Sequence, residues 1–270
     1  MNKKSSDSIR QLLPDAGWGH ALAALGGAQA ERHSLSDILS DLPVNACHEI
    51  LGKDKEDTAS LFGFGATLAA MLSAARQDAP CFFVRTFRHG GGRLYPPGLA
   101  ELGLDPTRCF SVHAPDLLAA LKATADIARS GAAGAVLVEI EGNPRLLDLT
   151  ASRRLALAAE KSGTAVLLLR IGARAAPSAA YSRWQVASAS STPLLADAPG
   201  GPTFDITMLR HRRIAAGQSA RLIWNLKEQK FDEQFATQSL QRSSTRETTF
   251  GRLFSLAARR AADSHTRRAA

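Results

Sequence analysis

The strongest constraint on the fold is an alternation of strand-like and helix-like segments between residues 44 and 172. Several strand-like segments are apolar along their whole length, so both of their faces must be buried. A parallel sheet with helices on both faces buries such strands. We therefore predict an α/β three-layer domain with a mainly parallel sheet and right-handed crossovers. The strands are expected at residues 44–51, 81–87, 108–114, 134–142 and 164–172.

The helix-like segments carry end signals. Pro115 lies near the first turn of one helix and Gly131 lies just past its end, and both residue types are favoured there. Gly63 and Gly65 weaken another helix, because glycine is a poor helix former. Helices are expected at residues 57–77, 115–130 and 147–163, with a helical turn at 98–104.

After residue 172 the pattern changes to strand-like segments with turns between them and no long helices. We expect these segments to extend the same sheet in the antiparallel sense. The last two form a hairpin that turns at residues 215–217. The segments cover residues 178–190, 203–213 and 220–226.

The two ends of the chain differ from the core, which we place at residues 44–226. Residues 1–43 are expected to be partly helical, with short helices near 17–25 and 34–41. The second of these begins at Ser34 or Ser36 as its N-cap. Residues 227–270 turn polar and basic, and we expect a flexible tail.

The end of the tail carries an apolar pattern at i, i+3, i+4 and i+7, which predicts a short amphipathic helix. Arginines lie on its other faces. Three interpretations stay open: a terminal helix docked on its own domain, a peptide that folds on contact with a partner, or a membrane-surface helix. The apolar residues are Phe250, Leu253, Phe254 and Ala257, and the arginines are Arg252, Arg259 and Arg260.

Composition limits the classes of protein that this chain can belong to. The net charge of +8 is compatible with a nucleic acid or an acidic protein as partner. The three cysteines are far apart, so we expect reduced core thiols and no zinc site. We expect no apolar run that approaches the roughly 18 residues needed to span a bilayer. With no signal-peptide pattern at the N-terminus, these features predict a cytoplasmic protein without metal or membrane contact.

The segment "HEILGKDKEDTASLFGF", residues 48–64, joins the first strand to the first helix. Nucleotide-binding α/β proteins carry their phosphate loop there, and it needs a glycine, four further residues, and then Gly-Lys-Ser/Thr. The first glycine is present as Gly52. Asp57 stands where the second glycine should be, Thr58 where the lysine should be, and Ala59 where a hydroxyl should bind magnesium.

This degenerate loop predicts that no nucleotide cofactor is bound. A carboxylate at the phosphate seat repels the ligand, by about 4 kcal/mol for charges about 4 Å apart at an effective dielectric constant of 20. The missing lysine and hydroxyl add to this loss. Lys53 and Lys55 flank the loop, and we expect them to be solvated surface side chains.

Two further basic segments are candidate binding sites. The glycine-rich loop at residues 88–98 can hold a phosphate through backbone N–H groups, or it is a flexible connector. The segment "LRHRR" contains Arg210, Arg212 and Arg213. It either contacts DNA or an acidic partner, or it is an exposed sheet edge protected by charge. Trp184 and Trp224 are expected in the core or half-buried.

In their order, the segments over residues 42–226 resemble the ATPase core of RecA and, more closely, the ImuA family of RecA-like proteins. The recognisable stretches are "LYPPGLAELGLDP", "LDLTASRRLALAAEKSG", "PSAAYSRWQV" and "TMLRHRR". The resemblance implies a RecA-like fold and places three more catalytic positions. Glu139 stands where an acid holds the metal, Arg85 and Arg88 where an acid activates water, and Arg170 where a polar residue senses the γ-phosphate or the sheet edge is capped.

The resemblance also implies a role in SOS-induced, error-prone translesion DNA synthesis. The implied partners are an ImuB-like homologue of the Y-family polymerases, RecA and, indirectly, an error-prone C-family DNA polymerase, while direct contact with DNA stays open. We expect a non-catalytic adaptor rather than an enzyme. Two alternatives stay open: a RecA-like DNA-dependent ATPase with an atypical nucleotide loop, and a SulA-like inhibitor of cell division.

Overall fold

The fold is taken from a computed structural model that describes residues 34–76, 78–86, 93–198 and 200–234. Over these residues nine strands form one sheet in the order β3-β2-β4-β5-β1-β6-β7-β8-β9. The strands are β1 Cys47–Gly52, β2 Cys81–Thr86, β3 Cys109–Ala114, β4 Ala135–Glu141, β5 Ala165–Ile171, β6 Ser182–Ser188, β7 Thr203–His211, β8 Ser219–Asn225 and β9 Lys230–Gln234. The five strands predicted before residue 172 are confirmed and are parallel to one another.

The direction of β6 corrects one expectation. We expected every strand after residue 172 to run antiparallel, but β6 pairs with β1 in parallel, with Trp184 opposite Ile50. The chain leaves β5 and crosses β1 before it forms β6, so the reversal begins only at β7. The hairpin between β7 and β8 is confirmed, with Gly217 at a φ of +102°.

Five α-helices lie in the described residues. α2 covers one face of the sheet, where Phe64 and Leu68 are fully buried. α4 and α5 cover the other face with Ala128 and Leu155. The predicted three layers are therefore confirmed. The helices are α1 Leu35–Ser40, α2 Thr58–Ser73, α3 Pro96–Glu101, α4 Leu117–Ser130 and α5 Leu149–Ser162.

The segment around α2 corrects a second expectation, that no apolar run approaches the length of a bilayer span. Residues Lys55–Arg76 form one helical stretch of 22 residues that is long and apolar enough to cross a membrane. Half of its most apolar window is buried against the sheet. The same composition is required of a helix that packs in a protein core.

Gly65 explains how α2 packs so closely on the sheet. A Cβ atom at this position would lie 2.6 Å from Cδ2 of Leu169 and 3.5 Å from Cδ2 of Leu137. The glycine that weakens the helix locally therefore removes the side chain at the point of closest approach between helix and sheet.

Helices α4 and α5 have matching ends. Asp116 accepts a hydrogen bond from the amide of Ala119 at 2.8 Å, and Asp148 accepts one from the amide of Ala151 at 2.7 Å. Each such N-cap typically stabilises its helix by about 1 kcal/mol. Both helices end at a glycine in the left-handed region, Gly131 and Gly163, as their sequences predict.

The boundaries of the core are wider than predicted. Residues 227–234 were assigned to the flexible tail, yet β9 pairs with β8 and buries Phe231. The helix expected at 34–41 is α1, with Ser34 as its N-cap, and its Leu35 amide donates to Glu233 of β9 at 3.0 Å. Leu35 and Leu39 lie in the same core cluster as Phe231. The first helix and the last strand therefore belong to the domain.

Several predicted features lie outside the described residues. They include the N-terminal segment before Ser34 and residues 88–92 of the glycine-rich loop, with the candidate Arg88. They also include the tail beyond residue 234, with its partner-binding candidates Phe250, Arg252, Leu253, Phe254, Arg259 and Arg260.

Candidate functional site

The degenerate phosphate loop lies at the carboxyl edge of the parallel strands, between β1 and α2. Its first amide, Lys53 N–H, donates to the carbonyl of Val186 on β6 at 2.8 Å. A 3₁₀ turn, Lys55–Asp57, then runs directly into α2. The predicted position of the loop is therefore confirmed by the strand and helix on either side of it.

Asp57 is the residue that fills this loop. Its side chain is buried, and one carboxylate oxygen accepts hydrogen bonds from the amide and the hydroxyl of Ser188, both at 2.9 Å. The other oxygen accepts the amide of Asp54 at 3.1 Å. An incoming phosphate would have to compete with this carboxylate for the same donors, and it would be repelled by it. Asp57, the acid predicted to exclude the phosphate, thus joins the loop to the end of β6 through its hydrogen bonds with Ser188.

Thr58 and Gly52 are also explained by contacts with the backbone of the loop itself. Thr58 donates its hydroxyl to the carbonyl of Lys55 at 2.7 Å, and Ala59 is exposed at the start of α2. A Cβ at Gly52 would lie 3.1 Å from the carbonyl oxygen of Asp54, which explains the glycine without a nucleotide. Lys53 and Lys55 are exposed, as predicted.

Glu139 does not present a free carboxylate to a metal. Arg85 of β2 donates to it through Nη2 at 2.8 Å and Nε at 3.3 Å, and both side chains are largely buried. Glu139 shares a face with Leu137, which packs beneath α2, because side chains alternate along a strand. The two positions that would hold a metal and activate water in a nucleotide site therefore neutralise each other.

The backbone of Arg170 pairs beside Leu51, just before the loop, but its side chain is bonded on the other face of the sheet, and both interpretations of it are wrong. Its guanidinium is buried against Glu49 of β1 and donates to the carbonyl of Gly142 at 2.8 Å. Arg183 of β6 donates to the other oxygen of Glu49 at 2.7 Å, and Ser178 donates to the same oxygen at 2.9 Å. This cluster lies on the face covered by α4 and α5, opposite α2, and β5 is an interior strand rather than an edge. Arg170 thus joins three central strands.

The basic segment lies where β7 is paired on one side only. β7 pairs with β6 up to His211, but its register with β8 ends at Thr207, so the edge interpretation of these arginines stays a prediction. Arg210 donates to the carbonyl of Ser178 at 2.5 Å, and the guanidinium of Arg212 lies 5.3 Å from the centre of the Tyr181 ring. Arg213 follows the strand and is exposed.

A cavity of about 240 Å³ opens beside Arg212 and Arg213, at the amino end of β1. Asp41 and Glu160 also line it, so its charge is mixed rather than uniformly positive. The nearby His211 has a lowered pKa, because partial burial and the charge of Arg213 disfavour its protonated form. At this edge of the sheet, opposite the degenerate loop, Arg210 is held by Ser178 and Arg212 by the Tyr181 ring.

The cysteines of the described residues are structural thiols rather than a second candidate site. Cys47 and Cys81 are buried and Cys109 is half-buried, and all three are free thiols. Burial raises the pKa of Cys109 to about 11 and raises those of Cys47 and Cys81 further, so none is an activated nucleophile. In the part of the chain that the structure describes, no three His, Cys, Asp or Glu side chains are grouped to hold a metal.

Three groups that matter here were missed by sequence reasoning. Ser188 gave no signal, since a serine at the end of a strand is common. Glu49 and Arg183 carried a weak one, because a charge inside an otherwise apolar strand requires a buried partner. The tryptophans were predicted correctly, since Trp184 and Trp224 are both buried.

Comparison with known proteins decides the family. No protein-family model matches the chain. Over 173 residues it is 34% identical to Protein ImuA of Caulobacter vibrioides, in strains NA1000 / CB15N and ATCC 19089 / CIP 103742 / CB 15. The alignment covers 60% of this chain and 67% of the relative. The chain belongs to the ImuA family.

Membership of the ImuA family confirms the resemblance drawn from the sequence stretches, and the mainly parallel sheet with helices on both faces confirms the predicted three-layer class. A solved structure, that of the RadB recombinase, aligns with a TM-score of 0.45 and 14% identity. The structural alignment covers 68% of this chain and 90% of the RadB chain. In this ImuA-family chain, Asp57, Thr58, Glu139 and Arg170 each form hydrogen bonds or ion pairs within the fold.

Proposed function

We propose that the protein is a non-catalytic accessory subunit of SOS-induced, error-prone translesion DNA synthesis. It acts in the cytoplasm as an adaptor that links an ImuB-like polymerase homologue, and through it the error-prone polymerase, to RecA. The observation that carries the proposal is the buried carboxylate of Asp57, which occupies the donors of the degenerate loop.

The remaining catalytic positions support the same proposal. A nucleotide hydrolase needs a lysine on the phosphates, a metal ligand and a group that positions water. Here Thr58 replaces the lysine, Glu139 is held by Arg85, and Arg170 is held by Glu49 on the other face of the sheet. A domain that keeps the architecture of a nucleotide-binding protein without this chemistry is suited to presenting surfaces.

The adaptor role is tested by binding measurements with purified partners. The full chain is immobilised, and the ImuB-like protein and RecA are passed over it separately and then in sequence. An adaptor retains the second partner only after the first has bound, or binds both at once. The proposal fails if neither partner binds, or if each excludes the other.

The tail supplies a second arm of this test. Its amphipathic pattern is basic and of helical spacing, so deletion of residues 246–270 is expected to weaken binding of one partner and leave the core folded. A melting curve of the deletion variant checks the fold. If the deletion variant binds both partners with unchanged affinity, the tail has no part in partner binding.

A further inference from the structure

Helix α5 has a clear inner face. Ser152, Leu155, Ala158 and Ala159 are buried against the sheet and against α4. At about 100° per residue these four positions span about a third of the helix circumference, which leaves the opposite side of the helix facing outward. The inner face accounts for the packing of α5 without any contribution from that outer side.

The outer side of α5 carries leucines that the fold does not use. Leu149 and Leu157 are 55% and 44% exposed, and Leu146, in the turn before the helix, is 51% exposed. Leu149, Arg153 and Leu157 follow one another at intervals of four residues, so they lie along one stripe. We define the α5 face as Leu146, Leu149, Arg153, Arg154 and Leu157.

The arginines of the α5 face lack counter-charges in the described part of the chain. Neither Arg153 nor Arg154 forms an ion pair or hydrogen bond there. Three exposed arginines elsewhere, Arg108, Arg129 and Arg221, each pair with a nearby aspartate, whereas Arg145 and Arg213 form no ion pair with the described residues. The α5 face therefore combines unmatched positive charge with exposed leucines at helical spacing.

We propose that the α5 face is a docking surface for an acidic amphipathic helix of a protein partner. Leucines of the incoming helix pack between Leu149 and Leu157, and its carboxylates meet Arg153 and Arg154. Burial of apolar area supplies the affinity, and the arginines supply orientation, because guanidinium groups match carboxylates in a forked geometry.

Charge and apolar content together favour this occupant. The chain's own tail carries Arg252, Arg259 and Arg260, so it would repel this face. A nucleic acid backbone would satisfy the arginines but leave the leucines in water. The α5 face therefore fits a partner that brings carboxylates and apolar side chains at the same spacing.

The test uses two designed probes, each a helical peptide of about 18 residues with leucines at i, i+3, i+4 and i+7. One carries glutamates beside the leucines and the other carries lysines. Fluorescence anisotropy of labelled peptide measures binding to the full chain. We expect the glutamate peptide to bind at least about tenfold more tightly than the lysine peptide, and its affinity to fall with added salt.

Three variants make the assignment specific. Arg153→Glu with Arg154→Glu is expected to reverse the preference between the two peptides. Leu149→Ser with Leu157→Ser is expected to weaken both by about tenfold or more. The matched control, Lys122→Glu with Lys227→Glu, makes the same change of net charge at exposed positions elsewhere and is expected to behave as wild type. All of these side chains are solvent-accessible, and melting curves verify the fold.

The proposal is overturned if neither peptide binds, if the variants leave binding unchanged, or if the control loses binding equally. It is also overturned if the chain binds vesicles of anionic phospholipid through the α5 face but not the glutamate peptide. The inference rests on the proposed function in one respect: the adaptor role supplies the partner protein that would carry the acidic helix. If the peptide results hold but RecA and the ImuB-like protein do not bind, the adaptor role fails and the surface stands. If those partners bind the α5-face variants normally, the surface fails and the adaptor role stands.

Discussion

At the scale of single residues, two buried acidic side chains are each fixed by several donors, and one of them, Asp57, stands where a phosphate loop would need a glycine. Asp57 binds the amide and hydroxyl of Ser188 and the amide of Asp54, and Glu49 binds Arg170 and Arg183. Each carboxylate is buried and satisfied, so each stabilises the fold only while its donors remain in place. Removing such a group leaves buried partners without a bond.

Replacement of Asp57 tests its structural role. Asp57→Ala leaves the Ser188 and Asp54 donors without their acceptor and is expected to lower the free energy of unfolding by about 1–3 kcal/mol. Urea denaturation measures this, and Glu56→Ala, at the exposed neighbouring position, serves as the control. A variant as stable as wild type would show that Asp57 does not hold the loop to β6.

His48 gives a prediction in pH. Burial lowers the pKa of His48 to about 4, because the protonated ring is poorly solvated there. The neutral ring accepts from Ser182 at 2.8 Å and donates to the carbonyl of Pro43 at 3.1 Å, and Trp184 donates to the same hydroxyl at 2.7 Å. In the unfolded chain the pKa returns to about 6.5, so the unfolded state binds more protons between these values.

Stability should therefore fall as the pH drops from about 6.5 towards 4, by about 2–3 kcal/mol from this histidine alone. His48→Gln keeps a donor and an acceptor but does not titrate, so its unfolding free energy should depend less on pH over that range. The difference between the two proteins, measured by urea denaturation at several pH values, isolates the histidine from the carboxylates. Parallel curves would contradict the assignment.

At the scale of elements, the sequence predicted what is local and repeated. Apolar strands β4 and β5, and the capped helices α4 and α5, were recognisable because composition and end signals agree. The direction of β6 could not be recognised from the sequence, because it depends on whether the chain crosses β1 before the strand begins. β9 was missed because a short polar edge strand, with Phe231 as its main apolar residue, lacks an alternating pattern.

The loop was predicted better than the contacts around it. The residue types at Asp57, Thr58 and Ala59 predict that the phosphate chemistry is missing, and this stays a prediction. The partners of Asp57 and Arg170 could not be read from the chain, because Ser188 and Glu49 are each more than 120 residues away. Such pairings exist only once the strands are ordered side by side.

Helix α2 offers a matched pair of substitutions. Glycine to alanine normally favours a helix by up to about 1 kcal/mol. At Gly63 the new methyl group would meet the Phe204 ring at 3.5 Å, an ordinary contact, whereas at Gly65 it would lie 2.6 Å from the buried Leu169. Gly65→Ala is expected to destabilise by about 1–3 kcal/mol through overpacking, and Gly63→Ala to be neutral or stabilising. Equal melting temperatures would contradict this packing.

At the scale of the whole molecule, the two edges of the parallel strands have different characters. The carboxyl edge carries the closed loop, and the amino edge carries Arg210, Arg212 and Arg213, with Arg212 stacked on Tyr181. The outer face of α5 adds leucines and unmatched arginines. Our proposal places the function of this ImuA-family chain on these surfaces rather than at the degenerate loop.

The most direct measurement is a titration of the purified chain with fluorescent ATP and Mg²⁺, with and without single-stranded DNA. Our account predicts no binding up to millimolar nucleotide, because the carboxylate of Asp57 holds the donors that a phosphate would need. Binding in the micromolar range, dependent on Mg²⁺, would contradict it and would favour a nucleotide-driven role.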